Sequence, residues 1–234
     1  MTLRRRRILA ISALKGGVGK TTTAVNLAAA AARAGVRTLL VDVDPQGSVA
    51  TSLGLPPSAG LSKWLLKIAN FEEAVVRGSR PNLDVLPAGE NLLGAEDALR
   101  EKGKEKRVGR LARRFESLEN VYHAADEILL PAKLDFLSLP ALEKTRVFVK
   151  HANETRGKAL KIDGVLPTFY DLRTAVSSEL LDTLRERFSK ILTPIRINVA
   201  LAEAPSVGKT IFEFDGSARG AVDYALLAEE LKLD

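Results

Sequence analysis

The chain has 234 residues, 46% of them hydrophobic, with no cysteine and a formal net charge of +6. Zero cysteine excludes disulfides, thiolate metal sites, iron–sulfur clusters and cysteine nucleophiles, and no apolar run approaches the roughly 18 residues needed to cross a membrane. The basic start lacks the apolar stretch of a secretory signal, so the expectation is a single cytoplasmic α/β domain over residues 1–234.

Residues 8–13 are apolar and β-prone. A Gly-rich turn follows at 15–19, then an Ala-rich stretch at 21–35 that ends on Gly35 as a helix does. Residues 38–43 form a second apolar run. Strand, Gly loop, helix, strand is the order of a βαβ unit, so the fold class is α/β with a mostly parallel central sheet and helices on both faces. Further strands are predicted at 83–86, at 127–130 (stopped by Pro131), at 162–167 and at 191–197. Helices are predicted at 90–118, 139–153, 177–188 and 220–231.

The chemistry concentrates in Lys15-Gly16-Gly17-Val18-Gly19-Lys20-Thr21-Thr22. The strict phosphate-loop pattern requires a glycine where Leu14 stands. The physics nevertheless holds. Glycines let consecutive backbone N–H groups turn inward around phosphate oxygens, and the helix start adds its positive end. Lys20 can bridge the β- and γ-phosphates of ATP, and the Thr21 hydroxyl can ligate Mg²⁺. Asp42 and Asp44 close the second strand in Val41-Asp42-Val43-Asp44-Pro45-Gln46-Gly47, at the carboxyl edge where parallel sheets bind ligands. Two acids at a strand end also serve to cap the next helix.

The phosphate loop resembles the deviant Walker A motif of the ParA/MinD ATPases, and Asp42 to Gly47 resembles that family's Asp-x-Asp-Pro-Gln-Gly. Thr168-Phe169-Tyr170-Asp171-Leu172-Arg173-Thr174, Leu201 to Lys209 and Ser217 to Ala221 are similar to later family motifs. The resemblance covers nearly the whole chain. It implies an ATPase that closes into a homodimer around ATP and Mg²⁺. Lys15 reaches across to the partner's nucleotide, Asp44 positions the attacking water, and Asp42 holds the hydrated Mg²⁺. It also implies nonspecific DNA binding, a ParB-like stimulating protein, and a nucleoid-associated role in partitioning a chromosome, plasmid or other cargo.

The chain departs from the family in two places. It has no apolar strand ending in Asp-x-x-Pro-Pro, the Walker B strand with switch II, so hydrolysis is expected to be weak or absent. The family's DNA-contacting Arg-Asn-Val-Arg reads Ile197-Asn198-Val199-Ala200, which leaves Arg196, Lys209 and Arg219 as the candidate DNA contacts. Basic residues between 100 and 114 form a second candidate surface. The competing functions are a nucleotide-binding adaptor that no longer hydrolyses ATP and a MinD-like membrane switch. The last 7 residues contain no basic amphipathic extension, which argues against the membrane.

Overall fold

The computed structural model describes residues 6–56, 58–103, 118–155, 159–171 and 173–233. The order begins β1 (Leu9–Ile11), α1 (Lys20–Arg33), β2 (Thr38–Val41), then the short helices α2 (Ser48–Ser52), α3 (Gly60–Leu65) and α4 (Phe71–Ala74). β3 (Val76–Arg80), β4 (Leu83–Leu86) and α5 (Leu92–Gly103) follow. The second half runs α6 (Leu118–Ala124), β5 (Glu127–Lys133), α7 (Ser138–Thr155), β6 (Lys161–Thr168) and α8 (Ala175–Arg187). It closes with α9 (Val199–Glu203), a 3-10 turn (Ala204–Val207), α10 (Ile211–Phe214) and α11 (Arg219–Glu230). The α/β alternation and parallel pairing are as the sequence predicts. The basic cluster at 100–114 lies largely outside the described residues.

The strands form two ladders in two units. The first unit holds Met1–Lys20 and Arg114–Pro194, with a parallel sheet ordered β1-β5-β6. Tyr122, Ile128, Leu130, Val165 and Phe188 pack into its core, because parallel strands covered by helices bury both faces. β5 does not stop at Pro131 but continues to Lys133, pairing Pro131 with Leu166. The reason is local. The last β1 pair is Ile11 with Leu129, so Pro131 lies beyond it, where a missing N–H leaves no ladder bond broken. The strand predicted at 191–197 is reduced to isolated bridge residues at Ile191, which pairs with Val165, and Arg196, and Pro194 lies between them.

The second unit holds Thr21–Arg113 and Ile195–Asp234. Its sheet is ordered β2-β4-β3, with β2 and β4 parallel and β3 antiparallel. β3 was not foreseen. Its sequence, Val-Arg-Gly-Ser-Arg, carries no apolar alternation, and it forms as one arm of a tight turn in which Asn82 takes φ 61°. Val25, Ala32, Val49, Leu53, Leu83 and Val85 make a core cluster. Arg80 ties this unit together: Nε meets Glu213 at 2.5 Å, and Nη2 donates to the carbonyls of Gly208 at 2.9 Å and Leu53 at 3.3 Å. Gly54 and Gly208 meet there backbone to backbone. A Cβ on Gly208 would lie 2.8 Å from Gly54 Cα, and both φ values are positive.

Each sheet ends on a strand with one neighbour. Among the described residues, β1 pairs only with β5 and β2 only with β4. Leu39 and Val41 on β2 remain 45% and 38% exposed, unlike the covered strands of a closed parallel sheet.

Candidate phosphate and nucleotide site

In the first unit, β1 leads into the Gly loop, which ends at Lys20, the first residue of α1. Gly17 and Gly19 adopt φ of +69° and +87°, values open to glycine and strained for other residues. A Cβ on Gly16 or Gly17 would meet nothing within 4 Å, so the loop has a bare backbone face. The inner side is pinned: Val18 is buried, and its carbonyl accepts a 2.9 Å hydrogen bond from the buried Thr168 hydroxyl. Bare N–H groups around glycines at a helix start fit an anion such as a nucleotide phosphate. Lys20 Nζ lies 3.5 Å from the Lys15 carbonyl, so its ammonium is turned back over the loop.

Lys15 is held differently. Its Nζ lies 2.6 Å from both carboxylate oxygens of Asp135, in the turn after β5. The Ser138 hydroxyl donates to the same carboxylate at 3.0 Å and the Leu137 N–H at 3.2 Å. Burial alone would raise the Asp135 pKa, but the Lys15 and Ser138 hydrogen bonds prevail and hold it below the ordinary carboxylate value. Sequence reasoning passed over Asp135. The available signal was a carboxylate closing a buried strand of the same sheet as β1.

In the second unit, Thr21 and Thr22 open the body of α1 half-buried. The buried Asp42 accepts hydrogen bonds from Asp44 N at 3.0 Å and from Val49 N, in the first turns of α2, at 3.1 Å. Asp42 thus does cap the following helix, the alternative role its position allowed. Burial raises its pKa despite both backbone donors. Asp44 is half-buried and accepts from Gln46 N at 3.0 Å, which fixes the turn that follows. Among the described residues, no group of three or more His, Asp or Glu could hold a metal ion. A hydrated Mg²⁺ held by one hydroxyl and phosphate oxygens does not require such a group.

The three candidate DNA contacts differ. Lys209 and Arg219 are exposed. Arg196 is clasped by Asp223, itself 2% exposed, through Nε at 3.0 Å and Nη2 at 2.5 Å, and its backbone N–H donates to the same carboxylate. The Asp223 bonds raise the pKa of the Arg196 guanidinium. No helix among the described residues is long and apolar enough to cross a membrane.

Residues 6–124 match the AAA domain family. The chain is 33% identical over 251 residues to the chromosome partitioning protein ParA of Caulobacter vibrioides, covering 96% of this chain and 93% of the relative. It is 35% identical over 254 residues to the sporulation initiation inhibitor protein Soj of Bacillus subtilis, covering 96% and 98%. Both alignments are longer than the part of this chain they cover, so the relatives carry roughly 26 to 29 residues with no counterpart here. Among solved structures, cobyrinic acid a,c-diamide synthase of Mycobacterium smegmatis with a bound ATP analog and magnesium superposes with a TM-score of 0.76 at 29% identity, covering 97% of this chain and 94% of that one. With its glycine phosphate loop and near full-length kinship to partitioning proteins, the chain belongs to the ParA/MinD-type family of P-loop ATPases.

Proposed function

We propose that the protein is an ATP-driven positioning switch: it closes into a homodimer on ATP and Mg²⁺, binds DNA nonspecifically in that state, and is released when a ParB-like partner stimulates hydrolysis. The observation that carries this reading is the open glycine loop with Lys15 and Lys20, in a chain aligned along 96% of its length with partitioning proteins. The loop N–H groups from Gly16 to Thr22 and the Lys20 ammonium hold phosphate oxygens. The Thr21 hydroxyl would hold the metal, with Asp42 as a candidate second ligand through water. Asp44 orients a water, and Lys15 reaches the nucleotide of a second copy. When bound, ATP supplies the transferable phosphoryl group and Mg²⁺ neutralises its charge. Lys209 and Arg219 offer exposed cations to DNA phosphates, while Arg196 is largely spent on Asp223. The setting is the cytoplasm, at the nucleoid.

The test is binding to random-sequence duplex DNA with ATP–Mg²⁺, with ADP–Mg²⁺ and without nucleotide, at two salt concentrations. Binding with ATP alone, weakening as salt rises, is expected. Removing Lys209 or Arg219 should each lower the salt slope by about one. Equal binding in all three nucleotide states would sink the switch.

A second reading has its own observation. Among the described residues β1 and β2 each pair on one side only, and the relatives carry roughly 26 to 29 residues with no counterpart here. An adaptor that binds ATP but turns it over weakly fits that loss. Tight ATP binding without phosphate release, in the presence of DNA and partner, would favour it over the switch.

A further inference from the structure

The Lys15 ammonium is already in use. Both oxygens of Asp135 lie 2.6 Å from Nζ, and the pair is only partly covered, its side chains 25% and 30% exposed. The carboxylate does not swing freely, since Ser138 Oγ and Leu137 N fix one of its oxygens at the head of α7. The turn that carries it is uncovered: Phe136 and Leu137 are 74% and 72% exposed, the barest large apolar side chains among the described residues. A preset carboxylate on an uncovered turn can hold a lysine and give it up without disturbing a core.

We propose that Asp135 is a positioning residue for Lys15: it keeps the ammonium on its own chain until a second copy presents nucleotide phosphates, for which it is exchanged. This rests on the reading that Lys15 acts in trans. The contact is a competitor that dimerisation must displace. Each exposed ion pair of this kind is worth about a two- to fivefold bias, and a homodimer displaces two of them, so the dimerisation constant shifts by about four- to 25-fold, enough to set the concentration at which dimers form and too little to block them.

The experiment uses the full chain and two readouts. First, without nucleotide, modification of Lys15 by an amine-reactive reagent is followed by mass spectrometry. D135N should raise Lys15 labelling relative to other lysines, and D135E should restore protection. Second, sedimentation with ATP–Mg²⁺ gives the concentration for half-dimerisation, which should fall by about four- to 25-fold in D135N, since both protomers lose the competing contact, and stay near wild type in D135E. Labelling no greater than wild type, or a dimerisation midpoint unmoved or raised, overturns the proposal. K15A separates the failures. If K15A does not dimerise while D135N behaves as wild type, only the role of Asp135 falls. If K15A dimerises normally, the trans-acting lysine falls and the proposal with it. Should D135N fail to fold, S138A loosens the same carboxylate while keeping its charge. It should move both readouts the same way by a smaller factor, and no movement overturns the proposal.

Discussion

Two ion pairs in this chain join a cation to an aspartate with similar geometry, and their surroundings set them apart. Arg196 and Asp223 meet at 2.5 Å, with Asp223 2% exposed, and the Arg196 backbone N–H adds a further bond to the carboxylate. Lys15 and Asp135 meet at 2.6 Å with both side chains a quarter or more exposed, each on a loop. A buried carboxylate cannot lose its cation cheaply, because no water replaces it. An exposed one can, because water does. The first pair is therefore a fixture of the C-terminal segment, and the second is a contact that can be exchanged.

The sharpest way to break that comparison is to remove each cation. Arg196→Ala strands the Asp223 carboxylate in the core and should cost about 3 kcal/mol, lowering the midpoint of thermal unfolding by about 6–12 °C. Lys15→Ala should cost less than about 1 kcal/mol. Calorimetry on both variants checks this, and equal losses would abolish the distinction. A consequence concerns DNA. Weaker binding by R196A would reflect a loosened fold as much as a lost phosphate contact, so Lys209 and Arg219 are the cleaner probes.

The same contrast explains what was legible in the sequence. The Gly loop and its flanking strands announce themselves because glycine spacing and apolar runs are local signals, and the structure places β1, α1 and β2 inside the predicted spans, give or take a residue. β3 was hidden because its formation depends on pairing with β4 across the Asn82 turn, and no property of Val-Arg-Gly-Ser-Arg states that. Pro131 misled for a related reason. Whether a proline ends a strand depends on which neighbour faces its nitrogen, here none beyond Leu129. In the site, Lys15, Lys20, Asp42 and Asp44 could be picked out by motif. Their engagements could not: Asp42 turned out to cap α2, and Asp135, 120 residues from Lys15, carries no motif at all.

A middle-sized effect tests whether the phosphate loop belongs with the fixtures. Thr168 Oγ1 donates to the Val18 carbonyl from a buried position. Thr168→Val keeps the shape and removes the donor, leaving that carbonyl unsatisfied, at about 1–2 kcal/mol. If the bond presets the loop, ATP affinity measured by calorimetric titration should fall along with stability. Loss of stability with ATP affinity intact would show that the glycines alone fix the loop.

The smallest expected effect distinguishes two carboxylates, Asp42 in the second unit and Asp135 in the first, by pH. Burial raises the Asp42 pKa, so its ionised form costs the folded state some stability, which returns as pH falls through the folded value. For Asp135, burial works in the same direction but is outweighed by Lys15 and Ser138, and the folded value lies below the unfolded one. Its contribution is present above the unfolded carboxylate pKa, about 3.9, and is lost as pH falls through the folded value. The two groups should therefore protonate in sequence, Asp42 first and Asp135 last, with opposite signs in the stability curve. Carbon-detected NMR titration of the side-chain carboxyls between about pH 2 and 7 reads the order directly. Lys15→Ala should move the Asp135 midpoint up and leave Asp42 where it was. An Asp135 midpoint that stays in place in Lys15→Ala would mean that the lysine does not hold the carboxylate in its charged form, and the exchangeable clasp would have to be abandoned.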